Sequence, residues 1–151
     1  MKKRILVLLL FVCLFMAGCN NQFAKREYNS TKTIARQADH YAKKSSVFNP
    51  IMGGCQLTVS EFDGRETLWS VMAEEEQEME VSLYISLSEG QAKIVHVDAD
   101  GTVTMLLENT AETAMEMEET KKVLLKSGKN YLKIVGYDCR ELEVKLLFEE
   151  L

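Results

Sequence analysis

The chain is poor in the residues on which enzymatic chemistry usually rests. Among 151 residues there are two histidines, one proline and one tryptophan. Nucleophilic catalysis needs a base beside the nucleophile, and only His40 and His96 are available. His40 falls in a basic, polar stretch, and His96 lies between Val95 and Val97 in a strand-like run, where a packed residue is the simpler expectation. There is no glycine-rich phosphate loop and no His/Cys cluster at zinc spacing. Carboxylates are plentiful, but abundance does not single out an acid/base pair. The reading is therefore of a protein that is not an enzyme, with a small hydrolase as the least favoured class.

Long apolar runs are also absent, with one exception. After the basic start Met1-Lys2-Lys3-Arg4, residues Ile5 through Ala17 carry no charge. That stretch is shorter than the ~20 residues of a comfortable bilayer crossing and suits the apolar core of a signal peptide. It ends in Met16-Ala17-Gly18-Cys19. The tetrapeptide resembles the lipobox of bacterial lipoprotein precursors, in which an apolar residue and two small ones precede the cysteine that receives lipid. The resemblance implies a signal peptide over 1–18, lipid on Cys19, and a mature chain beginning Cys19-Asn20-Asn21-Gln22. Leu is more usual where this chain has Met16, and an ordinary secretory signal or an uncleaved anchor are the other readings. Two or more acyl chains anchor stably where one does not. The address implied is the cell membrane, facing out of the cytoplasm, or the outer membrane where the envelope has two.

Charge is distributed unevenly. From Asn20 to Pro50, six basic residues (Lys25, Arg26, Lys32, Arg36, Lys43, Lys44) face Glu27 and Asp39, a balance of +4. From Ile51 to Leu151, 9 Lys and Arg face 21 Asp and Glu, a balance of -12. The acidic part would repel phosphate, which argues against nucleic acid as a partner. The basic part beside the lipid reads as a tether, 19–50, whose charge either lays it along an anionic membrane or wall polymer while the domain stands off, or simply keeps it soluble.

Within the tether, Ile34, Ala38, Tyr41 and Ala42 fall on one face at helical spacing, so a short helix is expected there. Asn49-Pro50 and Gly53-Gly54 mark a boundary, and the domain is placed at 51–151. Its pattern is that of strands. Met79, Val81, Leu83, Ile85 and Leu87 alternate with polar neighbours, as do Cys55, Leu57 and Val59. Such a period of two marks a strand with one buried face. Further strands are expected around Thr67–Val71, Ala92–Val97, Thr102–Leu107, Val123–Lys126, Tyr131–Val135 and Leu142–Phe148, with Phe62-Asp63-Gly64-Arg65 as a turn. Asp98-Ala99-Asp100-Gly101 and Ser127-Gly128-Lys129-Asn130 read as hairpin turns. Residues Asn109 to Thr120, rich in Ala, Met and Glu, suggest a helical turn or a long crossover. About eight strands at short spacing predict an all-β, two-sheet antiparallel sandwich.

The stretch from Val123 to Gly136, continued through Val144-Lys145-Leu146, resembles the late strands of extracellular jelly-roll modules, including pre-peptidase C-terminal and carbohydrate-binding-like domains. That likeness implies a jelly-roll-like fold and, loosely, a binding or accessory role. It carries no ligand residue across.

Four features remain as site candidates. Cys55 and Cys139 could pair, since export favours disulfides, or could be two buried thiols. Asp98 and Asp100 offer hard oxygens for calcium, although they lack the further acidic positions of an EF-hand loop. Trp69 and Tyr84 could stack on a sugar ring. Trp69 has strand spacing that suits a core position, and Tyr84 falls on the polar face of its strand. The expected function is a lipid-anchored binding or accessory module with a glycan, wall polymer or protein ligand. The alternative is an assembly subunit of an envelope protein complex.

Overall fold

In a computed structural model the described residues are 22–113 and 118–148. The expected signal peptide, the lipobox and Cys19 lie outside them, as does Met115 of the alanine- and glutamate-rich stretch. Residues 22–28 form a helix, α1, followed by one short turn of helix, α2, Thr31–Ile34. Ser30 caps α2, its hydroxyl accepting the Thr33 N–H at 3.3 Å. Seven strands follow: β1 His40–Ile51, β2 Gly54–Ala73, β3 Gln77–Ser86, β4 Glu89–Val97, β5 Val103–Thr110, β6 Glu119–Leu125 and β7 Gly128–Phe148.

Every strand pairing is antiparallel. Two strands of about twenty residues hold the architecture together. The first half of β2 pairs the second half of β7 (Leu57 with Val144), and its second half pairs the first half of β7 (Trp69 with Leu132). Both strands bend midway. In β2 the register slips between Phe62 and Gly64, and opposite it Asp138 adopts a φ of 53°. Strands that turn a corner at bulges pass from one layer of a sandwich to the other. One layer is β1, β2, β7, β3 and β6, and the other is β2, β7, β4 and β5.

The alternating apolar positions meet between the layers. Leu57, Val59, Val81, Leu83, Ile85, Leu142, Val144 and Leu146 from one side pack with Ala92, Ile94, Leu132 and Ile134 from the other in one buried cluster. The predicted sandwich is therefore the observed fold. Its strand count falls to seven because two pairs of expected strands are single strands running through the bend. One strand is added, because β1 occupies much of the stretch read as tether.

That addition corrects the 19–50 tether. The helix ends at Ile34, and from His40 the chain is an edge strand paired with β2 from Arg65 down to Gly54. An edge strand lacks clean alternation because water reaches both of its faces, and only Lys43 and Ile51 in it are even half-buried. Residues 22–38 are docked instead of free. Tyr28 and Ile34 pack on Val95, Val97, Tyr131 and Val135, which point outward from the second layer. Lys133, fully buried on that face, donates to the carbonyl of Arg36 at 2.7 Å and lies 3.5 Å from Asp39.

Two further expectations are corrected. β6 pairs β3, not β7, so Lys126-Ser127 carries the chain between layers and is not a hairpin turn. The Asn130 amide stabilises that crossing by donating to the carbonyls of Lys126 and Gly128. Cys55 and Cys139 are separate buried thiols. Cys55 stands opposite Leu146 and Cys139 opposite Phe62, seven residues further along β2. At about 3.3 Å per residue they are roughly 20 Å apart along the strand, whereas a disulfide needs Cα atoms within about 7 Å. The Cys139 thiol instead donates to the Gln91 carbonyl at 3.1 Å.

Candidate functional site

The bend in β2 builds the cleft that best qualifies as a site. Its lining comes from three places: Phe23, Ala24 and Glu27 of α1, His40 to Ala42 at the start of β1, and Asp63 with Gly64 at the bulge. Its volume is about 360 Å³. The register pairs Tyr41 with Gly64. A Cβ on Gly64 would lie 2.2 Å from the His40 carbonyl oxygen, and the residue has a φ of +107°. Only glycine tolerates both conditions, so Gly64 is what lets β1 close one wall.

Polar groups are fixed in that wall. The Glu27 carboxylate is buried, accepts from the Arg65 guanidinium through Oε1, and meets His40 Nδ1 at 2.9 Å through Oε2. Arg65 also donates to the Ala38 carbonyl at 3.1 Å. Asp63 accepts the Asp138 N–H at 2.7 Å, and burial holds its carboxyl above the ordinary value despite that bond. Apolar surface lies beside these acceptors. Tyr41 is 44 % exposed and its ring stacks on buried Phe62, with centroids 6.4 Å apart. Phe23 is 55 % exposed and meets the His40 ring edge-on at 5.5 Å. Lys43 Nζ sits 4.5 Å from the Tyr41 centroid. The cleft thus offers aromatic surface and carboxylate acceptors together. That combination suits a ligand with both C–H surface and hydroxyl donors.

The residues singled out from sequence lie elsewhere and do not converge. Trp69 is half-buried at the rim of the core, its ring 4.7 Å from that of Phe148. Tyr84 lies on the outer face of the first layer, half-buried, with Lys145 Nζ 4.9 Å from its ring centroid. Around it are Glu143 and Gln56, joined by a 2.8 Å hydrogen bond, among polar neighbours on adjacent strands. Asp98 uses Oδ1 to accept the N–H groups of Asp100 and Thr102, and Lys126 bridges Asp98 and Asp100 at 2.8 and 2.7 Å. The space between the two carboxylates is thus filled by an ammonium. Among the described residues no group of three or more His, Cys, Asp or Glu could hold a metal ion. His96 is buried, with Nε2 3.1 Å from Asn130 Oδ1, and burial pushes its pKa below the usual histidine value.

Sequence reasoning missed Phe23, Glu27, Tyr41, Asp63 and Arg65 because it assigned them to a tether and a turn. One signal was present. Asp63-Gly64 sits within an otherwise strand-like stretch, and a glycine there marks a bulge as readily as a turn.

No family model matches the chain, and no curated protein matches it in sequence. Among solved structures, similarity is found to a carbohydrate binding module (CBM6cm-2) from Cellvibrio mixtus lichenase 5A, in complex with cellotriose. That match has a TM-score of 0.40 at 9% identity and covers 74% of this chain and 90% of that one. CBM35 from Paenibacillus barcinonensis matches with a TM-score of 0.41 at 14% identity, covering 76% and 99%. A family 35 carbohydrate binding module from Clostridium thermocellum matches with a TM-score of 0.37 at 12% identity, covering 70% and 90%. Likeness at this level brings neither a ligand nor a residue role to this chain, and the reading of the site rests on its own geometry.

Proposed function

We propose that the protein is an exported, lipid-anchored, non-catalytic binding module, held in a membrane through Cys19, whose ligand is a saccharide unit of a glycan or wall polymer. The observation that supports this reading is the cleft beside Gly64. The exposed rings of Tyr41 and Phe23 flank the carboxylates of Glu27 and Asp63 in a space of about 360 Å³. A sugar presents an apolar C–H face and a rim of hydroxyl donors, and this arrangement complements both. The Glu27 carboxylate is already engaged on both oxygens, by Arg65 through Oε1 and by His40 through Oε2, which favours a fixed binding wall.

The test is a glycan array and a wall-polymer pull-down with the chain from residue 20. Phe23→Ala and Tyr41→Ala should each lower affinity about two- to tenfold, in line with ~0.5–1.5 kcal/mol per aromatic contact beyond buried area. Trp69→Phe should leave binding intact. Unchanged affinity in both cleft variants would overturn the assignment. The anchor is tested separately by mass spectrometry of the mature N-terminus, with Cys19→Ser as control.

A second reading, an envelope assembly subunit, is favoured by β1. It is a twelve-residue edge strand, and it carries Val47 and Phe48 at 54 and 45 % exposure. Exposed edges with apolar side chains invite another chain. Capture of one membrane protein, with no retention on wall polymer, would select that reading.

A further inference from the structure

The helices docked on the second layer carry a charge pattern that the binding role leaves unused. Lys25, Arg26, Lys32 and Arg36 are all exposed, and none has a carboxylate within ion-pair distance among the described residues. The two acids of the same segment are occupied: Glu27 is buried against Arg65, and Asp39 lies beside Lys133 and accepts from Thr67. Lys25 and Arg26 line one shallow hollow with the amides of Gln22 and Asn29, and no carboxylate is among its described lining residues. Glu112 and Asp138 come near only at the far side of Lys25, in a neighbouring cleft. Phe23, 55 % exposed, stands one helical turn from Arg26.

Chain length then fixes where this face can go. Three residue steps separate Cys19 from Gln22, the first described residue of α1. Fully extended, they span about 10 Å, little more than the headgroup layer on one side of a bilayer. A domain on so short a leash cannot stand off from the membrane. We infer that the exposed face of α1 and α2 is a membrane-contact surface, built to rest on anionic phospholipid headgroups, with Phe23 where that face borders the cleft and the acidic layers turned outward. The inference rests on the lipid-anchor reading for the short leash. The hollow at Lys25 and Arg26 takes the headgroup phosphate, and Lys32 and Arg36 extend the contact along the surface. Each cation within a Debye length, about 8 Å at physiological salt, strengthens contact roughly fivefold, so four together give two to three orders of magnitude.

The test couples the mature chain through the Cys19 thiol to a maleimide-headgroup lipid, since Cys55 and Cys139 are buried. Phe23→Trp reports depth through quenching by brominated acyl chains, with the native chain supplying the Trp69 background. Quenching is expected to be stronger on vesicles containing phosphatidylglycerol than on phosphatidylcholine alone, where only the leash acts, and the difference should fade as salt is raised. The K25Q/R26Q/K32Q/R36Q chain should lose the difference while keeping its circular dichroism. Equal quenching on the two vesicles, or a difference that survives both salt and charge removal, overturns the inference. Because the coupling is chemical, this result does not depend on acylation in the cell. Mass spectrometry showing an unmodified Cys19 would instead remove the anchor reading and leave the surface to stand or fall on the vesicle data.

Discussion

Replacing Glu27 by Gln should test whether residues 22–38 belong to the domain. The Glu27 and Arg65 side chains are 7 and 4 % exposed, so the charges compensate each other out of water. In Glu27→Gln the guanidinium keeps the Ala38 carbonyl as an acceptor, and its buried Nε already lacks a partner. Breaking a buried pair from one side costs about 3–5 kcal/mol, because the remaining charge is stranded. With a urea m-value of about 2 kcal/mol/M, the midpoint followed by Trp69 emission should fall by about 2 M. The molecule has one escape. The helices can peel away and return Arg65 to water, at the cost of exposing Tyr28, Ile34 and the patch beneath them. Peeling would shrink the midpoint shift and make Lys25, Arg26, Lys32 and Arg36 at least tenfold faster trypsin sites. The double variant E27M/R65M, with no charge left to strand, should recover most of the loss. A Glu27→Gln chain with both urea midpoint and trypsin rate unchanged would refute the docked arrangement.

Three other outcomes follow from buried groups. His96 is held neutral by burial, with a folded pKa below its ordinary value of 6.5. The unfolded chain therefore binds more protons as pH falls below about 6.5, and stability should drop between pH 7 and 5 by a component absent from His96→Gln; equal pH slopes in the two chains would contradict this. Burial pushes the Cys55 and Cys139 thiols up to about 11 and about 12. In Cys19→Ser lacking the leader, thiol reagents at pH 8 should find no reactive group in the native chain and two after unfolding without reductant. None after unfolding would restore the disulfide. At the β4–β5 turn, millimolar calcium should leave the native melting temperature unchanged but raise that of Lys126→Met, where Asp98 and Asp100 lose their shared ammonium; equal shifts would show that Lys126 does not guard the pair.

The central strands were legible because their alternation is imposed by burial on one face. β3 shows this best, with Met79 to Ile85 inward at every second residue. The bends were not legible, since continuing a strand through Phe62 and Gly64 depends on its partner turning at Asp138, seventy-five residues away. β1 was missed for the opposite reason: an exposed edge leaves little period to read, and the helical spacing of Ile34, Ala38, Tyr41 and Ala42 arose by coincidence across a helix end and a strand start. Tyr84 was correctly placed on an outer face, and the cleft went unseen because it joins α1, β1 and a bulge. His96, read as a packed residue, is one.

The pairing of β2 with β7 has a consequence for how the chain acquires its structure. Gly54–Ala73 finds its partner in Gly128–Phe148, and both layers depend on that seam. A chain emerging N-terminus first can pair one edge of the twenty-residue β2 with β1, but must hold its other edge open until β7 appears. Its folding is governed by contacts of long sequence separation, which are slow to close, and the half-made molecule displays the surface that other chains would pair with. Completion is therefore a late, nearly single event, in which the last strand to arrive assembles both layers at once.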